Sequence, residues 1–427
     1  MKVIDRRQFL QMGLAAGAGV VAATTFGPGL VAGATRRPGG PAAGPGALPK
    51  RLAAAPVAQR RMVVLDMAGG NDGLSILPPR GDAGAAYRAL RKATAVPEAS
   101  MLDLSAYGTS TVGLHPSLSR LHGRGFAAIQ GIGVKKPDLS HFEMLRRWWS
   151  GDQDSLHNSS TGFLGRLCDV IGDTSAPAVG LSLGYGPSPA LNSARVVTMS
   201  MDPYSDGSFP TFDDITMHRA WVAAWKTMAE RQSTESVPFC SARDGAAYAR
   251  RFSDLARSLP NAGGSYPDSD LGYQLMLAAR ICAQDNGVRI VHVPVFHDFD
   301  THEDHVARHA AVLSDIDRSI DAFLTDLAAR GIAEEVLLVS TSEFGRRGPD
   351  NGSNGLDHGA GSMALMVGPV NPGLYGEYPD LTTLDEDENL IATVHMDDYY
   401  ATLAEGWFGV PASDVLSGGT ALPGVFS

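Results

Sequence analysis

Short, valine-rich apolar runs that stop abruptly in glycine and charged residues recur along this chain. "RMVVLDM" breaks into "AGGNDG", "FAAIQGIGV" into "KKPDLSHF", "RIVHVPV" into "FHDFDTHEDH", and "VLLVSTS" into "EFGRRGPDNGSNGLDHGAG". Apolar runs of about four to eight residues bounded by turn signals suit strands buried on both faces. Helical patterns lie between them. "PSLSRLHGRG" has proline near its start and glycine at its end, the asymmetry of a helix. "SHFEMLRRWWSGD" predicts a helix with Ser140 at its N-cap, and Ser140 with Glu143 has the spacing of a capping box. "LGYQLMLAARICAQ" and "HVARHAAVLSDIDRSIDAFLTDLAARG" are further helices, and "SMALMVG" is a last strand. Strand, crossover helix and strand in repetition predict an α/β fold, with a largely parallel sheet covered on both faces.

The ends and the middle are organised differently. "DRRQFLQMGLAAGAGVVAATTFG" carries paired Arg6 and Arg7, then a weakly apolar run, with Ala32-Gly33-Ala34 as a cleavage site. Residues 1–34 therefore read as a removable signal of the twin-arginine (Tat) type, with export to the periplasm, the envelope or the medium. The Tat translocase is then a partner during export, and no transmembrane segment remains after cleavage. Cleavage removes three positive side chains and one negative, moving the formal charge from −11 to −13. Residues 35–59, rich in Pro, Gly and Ala, form a linker. The domain follows over 60–427, interrupted at about 187–267 by amphipathic helices ("AWVAAWKTMAERQ", "AAYARRFSDLARSL") that suit an inserted cap or helical layer.

Composition excludes some classes. An acidic chain without a basic cluster beyond its N-terminus lacks the positive face that nucleic acid requires. Three cysteines, Cys168, Cys240 and Cys282, have no metal-type spacing and do not form a disulfide framework. They suit small buried side chains.

Four polar groups follow the strands: Asp72; Ser140 with His141; Asp298, Asp300, His302 and His305; and Glu343 with Asp357 and His358. Each has an ordinary structural use. Asp72 and Asp357 suit turns, Ser140, Asp300 and His302 suit helix starts, and Asp298 and His305 suit a solvated run. Together they gather carboxylates and imidazoles at strand ends, where such sheets bind ligands. Packed carboxylates need positive charge, and mixed Asp, Glu and His donors suit one or two divalent ions, zinc or manganese first. Ser140 at a helix start could act as nucleophile.

The segments "GGNDGLS", "SHFEMLRRWWSGD", "FDTH" and "TSEFGRR…NG…DHG" resemble the DUF1501 family of Tat-exported proteins, within the alkaline phosphatase/sulfatase-like superfamily. The resemblance implies a three-layer α/β/α domain with its site at the carboxyl edge of a mostly parallel sheet. It further implies a metal-dependent hydrolase of phosphate or sulfate esters, small or polymeric. In that scheme Ser140 attacks, and Asp72, Asp300, His302, Glu343, Asp357 and His358 hold metal. His141 and Arg346 assist, Arg346 by holding the substrate anion. Asp298 is a reserve ligand, since the superfamily commonly spaces its Asp and His by three residues. No C-x-P-S-R sequence is present, which argues against formylglycine chemistry, and the lack of G-x-S-x-G argues against a common serine hydrolase. The competing expectation is a non-catalytic protein of the same fold that binds an envelope partner or polymer.

Overall fold

A computed structural model describes residues 52–153, 160–204 and 254–426, together with 219, 220, 223, 224, 227 and 251. The signal segment, most of the linker, Cys240 and most of the helices expected over 220–259 lie outside the described residues. Nine strands form the main sheet: β1 (Arg61–Asp66), β2 (Ala127–Gly133), β3 (Gly180–Ser182), β4 (Thr198–Ser200), β5 (Ile290–Pro294), β6 (Val336–Thr341), β7 (Ser362–Val367), β8 (Gly373–Tyr375) and β9 (Val394–His395). Their order is β8-β2-β7-β6-β1-β5-β3-β4, with β9 also paired to β2. Only β7 among them runs antiparallel to its neighbours, β2 and β6. The remaining pairings are parallel.

Seven helices are used below: α1 (Gly81–Leu90), α2 (Ser119–Arg124), α3 (His141–Ser150), α4 (Phe163–Ile171), α5 (Asp270–Cys282), α6 (His305–Ala329) and α7 (Met396–Ala401). Alternation along the strands sends side chains to two separate cores. Val63, Leu65 and Leu338 pack with Leu275 of α5 and with Ile316 and Phe323 of α6. Met62, Val64 and Val339 pack with Trp148 of α3, Leu167 of α4 and Tyr400 of α7. The sheet is thus sandwiched between two helical layers, and each buried Val, Leu or Phe contributes about 1.5–3 kcal/mol.

Three local features depart from the sequence reading. Ser140 is the N-cap of α3 but makes no side-chain cap bond. Glu143 instead pairs with Arg146 at 3.1 Å and Arg147 at 2.9 Å, one turn on, so the capping box does not form. His305, expected in a solvated run, is buried at the start of α6, where His305, His309, Val312 and Ile316 share one inward stripe. The last residues of the expected linker are tied to the domain: the Ala55 amide donates to Glu334 O at 2.8 Å, and Arg289 donates to Val57 O at 2.7 Å. Cys168 and Cys282 are free and buried.

Candidate metal centre

The strands β1, β2, β5 and β6 are mutually parallel through this topology, so their carboxyl ends lie on one edge. There β1 runs into Gly69-Gly70-Asn71-Asp72, β2 leads to α3, β5 leads to Asp300 and His302, and β6 ends beside Glu343. The connection from Glu343 back to β7 is long but not loose. At its base a two-residue antiparallel ladder pairs His358 with Arg346 and Gly359 with Gly345. Glycine is required where this connection touches backbone. A Cβ on Gly355 would lie 2.0 Å from the His302 carbonyl carbon, and one on Gly359 would lie 2.3 Å from that of Arg346. The glycine content therefore permits the close packing that delivers His358 to the sheet edge.

Three imidazoles meet there. Nε2 of His358 is 3.1 Å from Nε2 of His141, 3.0 Å from Nε2 of His302 and 3.2 Å from Oδ1 of Asp300. Asp300 Oδ1 is also 2.9 Å from His302 Nε2 and 3.8 Å from His141 Nε2. Each ring is held from its other nitrogen. Nδ1 of His141 is 2.6 Å from Glu343 Oε1, Nδ1 of His302 is 3.1 Å from Asp357 Oδ1, and Nδ1 of His358 is 2.8 Å from Leu139 O. Carbonyl and carboxylate oxygens only accept, so all three Nδ1 atoms carry the proton. In their neutral forms the rings then aim three Nε2 lone pairs, with a carboxylate oxygen, at one another.

Lone pairs brought that close repel unless a cation or extra protons lie among them. Ligand atoms of His141, Asp300 and His358 all fall within 4.8 Å of one another. In a tetrahedral site with bonds of about 2.0–2.1 Å, neighbouring donors sit roughly 3.3–3.4 Å apart. The donor set and its spacing fit zinc or a similar ion. Burial alone would raise the Asp300 carboxyl, but the bond and the charge of Arg346 hold it far below the usual range. It is therefore an anion at neutral pH.

The other expected residues fall elsewhere. Arg346 is fully buried, and its guanidinium is spent within the protein. It donates to Gly70 O at 2.7 Å, Leu356 O at 3.0 Å, Phe299 O at 3.1 Å and Asp300 Oδ1 at 2.9 Å, and also to Gly69 O. The expectation that it holds a substrate anion is corrected accordingly: the buried guanidinium faces main-chain carbonyls and Asp300 rather than solvent. Asp72 lies in a second group instead, where ligand atoms of Asp72, His305 and His309 all fall within 4.8 Å of one another. Its carboxylate takes two bonds from Arg91, at 2.5 and 2.9 Å, and lies 3.1 Å from Nε2 of His305. Burial works against the Asp72 anion, yet Arg91 and His305 hold its pKa well below the usual value. Asp298 pairs with Arg308 away from the cluster. Ser140 is exposed, between Leu139 and His141, which both touch the cluster.

Two buried polar groups bring in residues that the sequence reading did not single out. Arg91, 19 residues after Asp72, and His115 join His305 and His309 around Asp72, and their contacts are visible only in three dimensions. The i, i+4 spacing of His305 and His309 in phase with Val312 and Ile316 could have revealed their burial. Within the sheet, Ser182, His292 and Asp66 form a chain, with Ser182 Oγ 3.2 Å from His292 Nδ1 and His292 Nε2 3.2 Å from Asp66 Oδ2.

Residues 223–407 match the family described as "Protein of unknown function (DUF1501)", in agreement with the motif resemblance. No curated protein matches the sequence. Similar solved structures include the lipoteichoic acid synthase LtaP from Listeria monocytogenes, at 8% identity and TM-score 0.39, covering 85% of this chain and 75% of that one. The phosphonate monoester hydrolase SpPMH from Silicibacter pomeroyi has 10% identity and TM-score 0.38, over 84% and 75% of the two chains. A protein in the alkaline phosphatase superfamily from Vibrio parahaemolyticus has 10% identity and TM-score 0.31, over 86% and 67%.

Proposed function

We propose that this DUF1501-matching chain is an exported, metal-dependent hydrolase of phosphate or sulfate esters. The observation that carries the reading is the convergence of His141, His302 and His358 through Nε2 on Asp300, with every Nδ1 anchored. His141, Asp300 and His358 would hold a divalent ion, with His302 beside them. Such an ion lowers the pKa of bound water and offsets charge on the ester oxygens. Asp300 supplies the negative charge, and Arg346 fixes its carboxylate. Asp357 and Glu343 set the planes of His302 and His141. Ser140, exposed at the start of α3, is the nucleophile in this reading, where the first free amides of the helix could receive an oxyanion. Asp72 stays outside the set because its carboxylate is committed to Arg91 and His305.

A second reading has its own observation. Arg346 on Asp300 and Arg91 on Asp72 supply positive charge where cations would otherwise be needed. A protein of this fold that binds an envelope partner without catalysis would look the same. Metal content separates the two. Elemental mass spectrometry on the exported wild-type chain should give about one or two equivalents of zinc or manganese, lost in a His141→Ala/His358→Ala variant. Screening of phosphate and sulfate esters would follow. A wild-type protein that neither contains nor takes up metal returns the second reading. The export step is proposed from "DRRQFL"; among the described residues no helix is long and apolar enough to cross a membrane.

A further inference from the structure

We infer that Glu343 is a positioning residue that acts on the metal through His141 and is not a ligand to it. The inference rests on the metal-centre reading above. A carboxylate at the end of a strand beside a histidine cluster invites assignment as a ligand, but its Oε1 is already engaged twice, and Oε2 shares the Ser342 hydroxyl with Phe344 O. Oε1 accepts the Gly69 amide at 2.7 Å and Nδ1–H of His141 at 2.6 Å, and Oε2 has the Ser342 hydroxyl at 3.3 Å. The side chain is fully buried. Most tellingly, it bonds the nitrogen of His141 that faces away from His358 and Asp300, which places the imidazole between the carboxylate and the ligand atoms.

A buried carboxylate in that position fixes the tautomer, locks the ring plane and pushes electron density towards Nε2. It also fastens three elements together, because Gly69 follows β1, His141 opens α3 and Glu343 follows β6. His302 has a counterpart in Asp357, but that carboxylate is about half exposed, so solvent weakens its influence. The two acids therefore form an internal comparison.

The test uses the full-length chain loaded with cobalt(II), whose visible spectrum reports ligand type and number. Glu343→Gln keeps an acceptor for Gly69 and His141 while removing the charge. The expected result is an unchanged cobalt spectrum with affinity, measured by chelator competition, about 10- to 100-fold weaker. Asp357→Asn should weaken it less. A changed spectrum in Glu343→Gln would make Glu343 a ligand and overturn the inference, as would unchanged affinity. If that variant does not fold, the metal-free wild-type protein decides: two-bond nitrogen–proton spectra of labelled histidine must show His141 protonated at Nδ1, and the opposite tautomer overturns the assignment. Wild-type protein that takes up no cobalt removes the metal-centre reading and this inference together, and it does so before any variant is made.

Discussion

Arg346 illustrates how much of a site one buried side chain can hold. Its guanidinium ties the turn after β1, the segment after β5 and the long connection after β6 to a single point, and it neutralises Asp300. Replacing it with leucine leaves an anion and several carbonyls without partners, which costs about 3–5 kcal/mol. Lysine retains the charge but not the planar fork, so it should recover only part of this loss. Urea unfolding of Arg346→Leu and Arg346→Lys checks the order; equal stability of wild type and Arg346→Leu would refute the role. The sequence marked Arg346 as functional because it follows a strand in "SEFGRR", yet only the fold shows that its donors point inward. Asp72 teaches the same lesson. Spacing placed it at the right edge, but spacing cannot reveal that Arg91 arrives from α1's C-cap to occupy its carboxylate.

At the level of elements, the apolar runs located β1, β2, β5, β6 and β7, and the helical patterns located α3, α5 and α6. Hydrophobic periodicity carries no direction, so the reversal of β7 could not be read from "SMALMVG". The capping box failed for a local reason. Glu143 has Arg146 and Arg147 at i+3 and i+4, and these compete for its carboxylate. The glycine-rich connection after β6 was legible as a site feature but not as a packed one. Gly355→Ala should therefore press a methyl group into the His302 backbone, lowering unfolding free energy by about 1–3 kcal/mol and displacing the His302 ring. Gly352, in the same connection, has open space around the equivalent position, so Gly352→Ala is the matched control and should be close to neutral. Comparable stabilities for the two variants would show that the connection is not packed as described.

Across the whole molecule, the buried imidazoles predict how the metal-free protein responds to acid. Burial lowers the pKa of His115 to about 4 against the opposing pull of Asp72, with His305 adding to the depression. Burial likewise holds His309 well below its ordinary value, reinforced by His305 and His115 and opposed by Asp72. Arg91 stands in the same cluster and disfavours further positive charge. Both rings are neutral in the folded protein at pH 6, whereas in the unfolded chain they titrate near about 6.5. The unfolded state therefore binds more protons as pH falls below that value, and stability must fall with it. For His115 the loss runs from about pH 6.5 to its folded value near 4 and approaches about 3 kcal/mol in full. The depressed carboxyls of Asp72 and Asp300 act later, since their stabilisation is lost only below the unfolded carboxyl range near about 4. Acid sensitivity should consequently begin about two pH units above the carboxylate window. Urea midpoints at pH 7, 6 and 5 should decline, and His115→Asn, which keeps an acceptor for the Ser117 amide, should flatten that decline. A wild-type midpoint that stays level down to pH 5 would mean that the buried histidines take up protons without unfolding the cluster.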